Sequence, residues 1–215
     1  MSSDQYYQFA RSEMLAFLPD HYSKALEVGC GAGNFIKSLN GGTESWGVEQ
    51  DNAAAALAAQ HMHKVLVGSY QSVSEQLPDG YFDLIICNDV IEHIEHYDKF
   101  LQEIKSKLSN NGALLISIPN VRFLPNLLEL LLRKDWRYRD AGILDRTHLR
   151  FFTRKSLCRT LQELGWQITT IQGINRYGNR TFSPKRFLSY LGQALLGRDT
   201  AYMQFAVLAC KAEPR

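Results

Sequence analysis

The sequence predicts an α/β fold: a doubly wound, mainly parallel sheet with helices on both faces. Three observations predict it. Short apolar runs alternate with segments of helical periodicity from residue 24 to residue 118. The first run, Leu26-Glu27-Val28, breaks into Gly29-Cys30-Gly31-Ala32-Gly33, three glycines at alternate positions ahead of a helical pattern. The second run, 45–49, ends on an acid, Glu49, sixteen residues after Gly33. Glycine lets a chain turn tightly off a strand and lets a ligand approach where a Cβ would collide.

The elements follow in order. Residues 4–18 have helical periodicity and are expected to cover whatever binds at the glycine turn, with Tyr6, Tyr7 and Arg11 able to face it. Strands are expected at about 24–29, 45–49, 64–68, 82–88 and 113–118. A helix is expected to begin within 33–39. The alanine-rich 51–62 is a strong helix with Asp51 or Asn52 as its cap. Pro78-Asp79-Gly80 marks a turn, and a helix over about 97–108 ends near Asn110-Asn111-Gly112. Two insertions follow. Residues 121–150 carry an apolar helix, Leu124–Leu132, then RKDWRYRDAG and ILDRTHLRFFT. Residues 175–200 place Phe187, Leu188, Leu191, Leu195 and Leu196 beside Arg180, Lys185 and Arg186. Ligands of open α/β sheets sit outside the carboxyl ends of the strands, so the first insertion is expected to be a substrate lid. The second reads either as a lid helix packed on the domain or as a peripheral contact with membrane lipid.

At 215 residues the chain is expected to form one domain, 1–215. Its 45% hydrophobic and 21% charged content is that of an ordinary soluble protein. The N-terminus is polar, no uncharged apolar stretch reaches membrane-spanning length, and Cys30, Cys87, Cys158 and Cys210 form no C-x-x-C pair. Reduced thiols and a cytoplasmic location are the expectation. The net charge of +2 hides an asymmetry. Residues 121–200 hold 15 of the 24 Lys+Arg and 6 of the 22 Asp+Glu, a balance of +9 that leaves −7 for the rest. That fits an anionic substrate or surface, or equally a set of solvated helix faces.

The glycine spacing is G-x-G-x-G rather than the dinucleotide G-x-G-x-x-G. Glu27, two residues before the first glycine, would repel a phosphate and favour a cation. Glu49 closes the second strand, where an acid can accept both hydroxyls of a ribose. The ligand is therefore read as a small, positively charged nucleoside. Four segments, LEVGCGAGNF (26–35), GVEQD (47–51), FDLIICNDVIEHI (82–94) and GALLISIPN (112–120), stand in register over Leu26–Asn120. At these residues the chain resembles the class I S-adenosylmethionine-dependent methyltransferases. The resemblance implies a Rossmann-like sheet of seven strands, closed by an antiparallel pair at 166–172 and 202–211, with S-adenosylmethionine as cofactor. It also implies roles. Glu27, Gly29, Cys30, Gly31 and Gly33 would shape the loop around the methionine end and ribose, and Glu49 would take the ribose hydroxyls. Gln50 would flank the adenine, Ser69 and Tyr70 would sit at its edge, and Asn88 would lie near the methionine moiety.

A sulfonium methyl is already activated, so the protein mainly aligns a nucleophile. A hydroxyl acceptor must also lose its proton to a base or a metal. Asp89, Glu92 and His93 lie at helical spacings of three and four, and His148, in Asp145-Arg146-Thr147-His148, follows His93 by 55 residues. The arrangement resembles the E-x-x-E-H run and distant histidine of metal-assisted small-RNA 2′-O-methyltransferases, and the E-x-x-E-H of ubiquinone-biosynthesis O-methyltransferases. Here Asp89 stands in place of the first Glu. Three readings stay open. Asp89, Glu92, His93 and His148 hold a divalent metal (Mg²⁺, Mn²⁺, Fe²⁺ or Zn²⁺); His148 or His93 is a metal-free base positioned by the acids; or Glu92-His93 only caps a turn. Arg146 and Arg150, with Arg154, are candidates for binding an anionic substrate. Trp136 is a candidate for stacking on it, and Phe151 and Phe152 are expected to pack beneath the lid. The segment GILDRTHLRFFT is similar to one in bacterial methyltransferases of glycans or cell-envelope precursors. His21, His61, His63 and His96 read as surface or helix residues, Trp46 and Trp166 as core. The expected activity is methyl transfer to a hydroxyl of a small molecule, a sugar or glycan, or a lipid-linked precursor, with no role for DNA. The alternatives are an RNA ribose 2′-hydroxyl acceptor and a non-catalytic cofactor-binding partner protein.

Overall fold

The computed structural model describes residues 11–39, 41–178, 190 and 192–212. Tyr6, Tyr7, Arg180, Lys185, Arg186, Phe187, Leu188 and Leu191 lie outside the described residues. Seven strands form one sheet: β1 (Lys24–Val28), β2 (Glu44–Glu49), β3 (Lys64–Val67), β4 (Phe82–Asn88), β5 (Leu108–Pro119), β6 (Trp166–Arg176) and β7 (Tyr202–Lys211). Their order is β3-β2-β1-β4-β5-β7-β6. The first five run parallel, and β7 is antiparallel to both β5 and β6. The order reverses between β1 and β4, which opens a crevice at their carboxyl ends.

Helices α1 (Asn52–Ala58), α2 (Tyr70–Val73), α3 (Tyr97–Lys107), α4 (Leu124–Arg133) and α5 (Arg154–Glu163) connect or flank the strands. Asp51 caps α1 by accepting from the Ala54 N–H at 2.7 Å, as its side-chain chemistry predicts. Thr153 and Ser156 form a capping box that starts α5. Several boundaries differ from expectation. The segment after the glycine loop makes only a 3-10 turn, Ile36–Ser38, before Gly41-Gly42 breaks it. The described part of the N-terminal helix is also 3-10, Ser12–Phe17. β5 begins five residues early and absorbs Asn110-Asn111-Gly112, with a register shift against β4.

Side chains alternate across a strand, and the two faces carry different covers. One face packs Leu26, Val48, Ile85, Cys87, Ile116 and Val207 against Phe100, Leu101 and Ile104 of α3 and Leu157 and Leu161 of α5. The other packs Ala25, Leu84, Ile86, Leu115 and Ala206 against Met14, Phe17, Ile36, Ala58 and Met62, from short 3-10 turns and the end of α1. Trp166 is buried in the first layer, whereas Trp46 is only partly buried against it.

Candidate active site

Alternation decides which polar side chains meet. Ala25, Ile86, Leu115 and Ala206 face the thinly covered side. Glu27, Asn88, Ser117 and Gln204, each two residues along the same strand, therefore face it as well. Glu49 joins them, because Val48 faces the opposite side. Strand geometry thus collects five polar side chains on one face of the carboxyl ends.

Gly29, Gly31 and Gly33 all adopt positive φ (70°, 52° and 74°), which L side chains rarely do. A Cβ on Gly33 would also stand 3.3 Å from the Ala58 Cα, so this glycine packs the loop against α1. Glu49 holds the loop: its carboxylate accepts from the Gly31 N–H at 2.8 Å and the Asp51 N–H at 2.9 Å. Each oxygen keeps a lone pair for a further donor, such as a ribose hydroxyl. Cys30 turns its thiol into the core, where burial pushes it up, so only its backbone faces the loop. Gln50 is exposed just past β2.

Glu27 is buried, and its Oε2 and both polar atoms of the Asn88 amide lack hydrogen-bond partners among the described residues. Burial pushes the Glu27 carboxyl up to about 8, with the Asn88 amide and Arg11 opposing and Glu49 reinforcing. Three unpaired polar atoms beside a glycine loop fit a polar ligand with cationic character. S-adenosylmethionine is such a ligand.

The run after β4 divides its labour. Asp89 takes a left-handed conformation (φ 53°) and sends its carboxylate to the Arg11 guanidinium, to the Ser117 hydroxyl at 2.9 Å and to the Gln204 amide at 2.8 Å. Arg11 also donates to Ser117 Oγ at 2.9 Å and Glu13 at 2.9 Å. This network ties the N-terminal turn to β4, β5 and β7. The sequence reading that put Asp89 beside Glu92 and His93 as a ligand is corrected here, because the left-handed turn aims it elsewhere. Ser117 and Gln204 were missed. Their only signal is a polar residue inside an otherwise apolar strand.

Glu92, His93 and His148 do converge, with ligand atoms within 4.8 Å of one another. The imidazole rings meet edge to face at 4.7 Å. His148 Nδ1 lies 2.9 Å from the Ile143 carbonyl and His93 Nδ1 3.2 Å from the Thr147 carbonyl. A carbonyl only accepts, so both Nδ1 atoms carry the proton and both Nε2 lone pairs are free. Glu92 is 1% exposed, its Oε1 stands 3.9 Å from His148 Nε2, and neither oxygen has a hydrogen-bond partner among the described residues. Burial, then the nearby Asp89, push its carboxyl well above the ordinary range. Burial and His148 hold His93 below the usual imidazole value. The Glu92 carbonyl in turn accepts from the Leu149 and Arg150 N–H groups at 2.8 and 3.2 Å, which pins the lid segment to this turn.

One further expectation is corrected, and the residues expected to bind the acceptor are placed. Tyr70 does not edge an adenine: its ring is buried against Phe100 at 4.8 Å in the core, and Ser69 caps α2 through Ser72. Arg150 donates to the Leu149 and Glu95 carbonyls at 2.9 and 2.8 Å and stacks near Tyr97, so its fork already clips the lid. Arg146 is exposed and bonded to Asp140 at 2.9 Å. Trp136 packs edge-on to Phe151 at 5.3 Å, and Phe152 is buried.

Comparison with known proteins gives a concordant result. A family described as a methyltransferase domain matches residues 4–171. A mitochondrial ubiquinone biosynthesis O-methyltransferase of Schizosaccharomyces pombe is 29% identical over 159 residues, 70% of this chain and 57% of that protein. An uncharacterised Methanocaldococcus jannaschii protein is 30% identical over 147 residues, 67% of this chain and 64% of its own. The chain therefore spans about 57–64% of the length of these relatives. An S-adenosylmethionine-dependent methyltransferase structure from Archaeoglobus fulgidus superposes with a TM-score of 0.70 at 19% identity, covering 97% of this chain and 94% of that one. With the family model matched over most of its length, the chain belongs to the methyltransferase-domain family, and it shares the fold of that S-adenosylmethionine-dependent methyltransferase.

Proposed function

We propose that this chain transfers a methyl group to a hydroxyl of a small molecule, and that Glu92, His93 and His148 take charge of the hydroxyl proton. One observation carries the reading: two imidazoles and an unpartnered buried carboxylate converge on the turn after β4, with one ligand atom from each within 4.8 Å of the others. The bound cofactor supplies a methyl group already activated on a sulfonium. In this reading Glu27 and Asn88 accommodate its cationic methionine end and Glu49 its ribose. The lid, residues 121–150, covers the acceptor and excludes water, while the Arg11–Asp89 pair closes the N-terminal side.

A divalent cation fits the trio. Both histidines are oriented by Nδ1 hydrogen bonds to backbone carbonyls, the arrangement that usually supports metal-bound imidazoles. Glu92 would complete a two-histidine, one-carboxylate set that suits Mn²⁺, Fe²⁺ or Zn²⁺ better than Mg²⁺. Such an ion would lower the pKa of an acceptor hydroxyl. The relatives named for ubiquinone biosynthesis O-methylation support oxygen as the accepting atom.

The test is calorimetric titration of Mn²⁺ into chelator-treated protein saturated with S-adenosylhomocysteine, alongside transfer to a panel of hydroxylated acceptors. Wild type should give a metal heat that Glu92→Gln removes. His148→Ala should keep cofactor affinity yet lose about 10²-fold or more in transfer. Full transfer in His148→Ala would overturn the assignment. A metal heat untouched by Glu92→Gln would remove the cation from this cluster.

A further inference from the structure

The outer half of α4 presents three consecutive exposed leucines between Glu129 and Arg133. Leu130, Leu131 and Leu132 are 39%, 61% and 75% exposed. Consecutive helical residues point about 100° apart, so these three leucines cover much of the circumference. A protein groove covers one side of a helix, whereas a lipid phase surrounds it. The single acid of α4, Glu129, is neutralised by Arg139. Beyond the leucines come exposed Arg133, Lys134 and Arg137, interleaved with Trp136, Tyr138 and a single acid, Asp135. Leucines, then cations and amphipathic aromatics, is the order in which a chain passes from acyl chains through headgroups to water.

A second segment adds to this surface. Residues 192–196 are helical and pack on the base of α4, where a Cβ on Gly192 would meet Leu124 Cδ2 at 2.7 Å. Arg122 donates to the Leu196 carbonyl, and Leu195 is left 73% exposed. By sequence, residues 121–200 carry a balance of +9. Among the described residues no helix is long and apolar enough to cross a membrane.

We propose that the tip of α4 inserts into the surface of an anionic phospholipid bilayer, with Leu130, Leu131 and Leu132 among the acyl chains and Arg133, Lys134 and Arg137 at the headgroups. The lid runs from this tip to the candidate site. The Arg139 N–H donates to the Leu144 carbonyl at 2.8 Å, the Arg146 N–H donates to the Arg139 carbonyl at 3.0 Å, and His148 follows two residues on. A hydroxylated acceptor carried in the bilayer would emerge against the same lid. That last step rests on the proposed hydroxyl transfer, whereas the docking itself does not.

The experiment is co-sedimentation of the full chain with phosphatidylcholine vesicles, with and without phosphatidylglycerol, at low and high salt. Binding should require phosphatidylglycerol and weaken with salt. A Leu131→Ser/Leu132→Ser variant should lose about tenfold or more in partitioning. Arg133→Glu/Lys134→Glu should lose the salt-sensitive part. Both variants should keep wild-type affinity for S-adenosylhomocysteine, which reports folding and the cofactor site separately. No vesicle binding by wild type, or equal binding by both variants, overturns the proposal. A dimer that disappears in the leucine variant would assign the surface to self-association instead and overturn it too.

Discussion

Replacing Glu27 by Gln should flatten the pH dependence of stability and remove a proton released on cofactor binding. The Glu27 carboxyl is raised from its ordinary 4.5 to about 8, chiefly by burial. In the folded, cofactor-free protein it is therefore about 90% neutral at pH 7. The unfolded chain gives up that proton above 4.5, whereas the folded chain holds it until about 8. Stability from this group is then full below the unfolded value and falls as pH rises through that window. The slope reaches about 1.4 kcal/mol per pH unit, so wild type should lose on the order of 4 kcal/mol relative to the variant between pH 5 and pH 8. Urea unfolding across that range, plotted as variant minus wild type, reads the difference. A cationic ligand favours the carboxylate, so S-adenosylmethionine binding at pH 7 should release close to one proton. Calorimetry in buffers of different ionisation enthalpy measures that release, and the variant should show none from this site. Parallel stability curves, or a binding heat independent of buffer, would refute the reasoning.

Glu49→Ala leaves the Gly31 and Asp51 N–H groups without their acceptor. It should weaken S-adenosylhomocysteine binding by more than about 1 kcal/mol, and unchanged calorimetric affinity would count against Glu49 as the ribose acid. Gly33→Ala forces a left-handed residue and a Cβ 3.3 Å from Ala58, so urea unfolding should show a loss of about 1–2 kcal/mol. An unshifted midpoint would mean the loop relaxes freely. Asp89→Asn should retain any Mn²⁺ heat that Glu92→Gln abolishes, because Asp89 serves Arg11, Ser117 and Gln204. Loss of that heat in Asp89→Asn would return Asp89 to the ligand set.

The parallel sheet, the glycine loop and Glu49 were legible because each is written locally. Strand periodicity, a cluster of glycines and an acid at a strand end act over a few residues, and the structure places them together. The Asp51 cap was legible for the same reason. Tyr70 was misread because its neighbour Ser69 does start a helix at the right strand end, but the phenol rotates into the core to bury its ring. Asp89 was misread because spacing assumes a regular helix, and a positive φ at that residue breaks the period.

By itself the sequence pointed to the family and to a mainly parallel sheet closed by an antiparallel pair, and its resemblance put His148 with Glu92-His93 as a candidate cluster. Strands and turns were legible because backbone geometry and short-range hydrogen bonding follow from residue type, whereas the histidine pairing rested on the resemblance. Only the tertiary structure decided that Ser117 and Gln204 complete the Asp89 network, that Arg150 clips the lid, and that the α4 leucines stay uncovered. Those outcomes depend on which distant segment packs against each side chain, and that is settled by burial across the whole fold rather than by any local pattern.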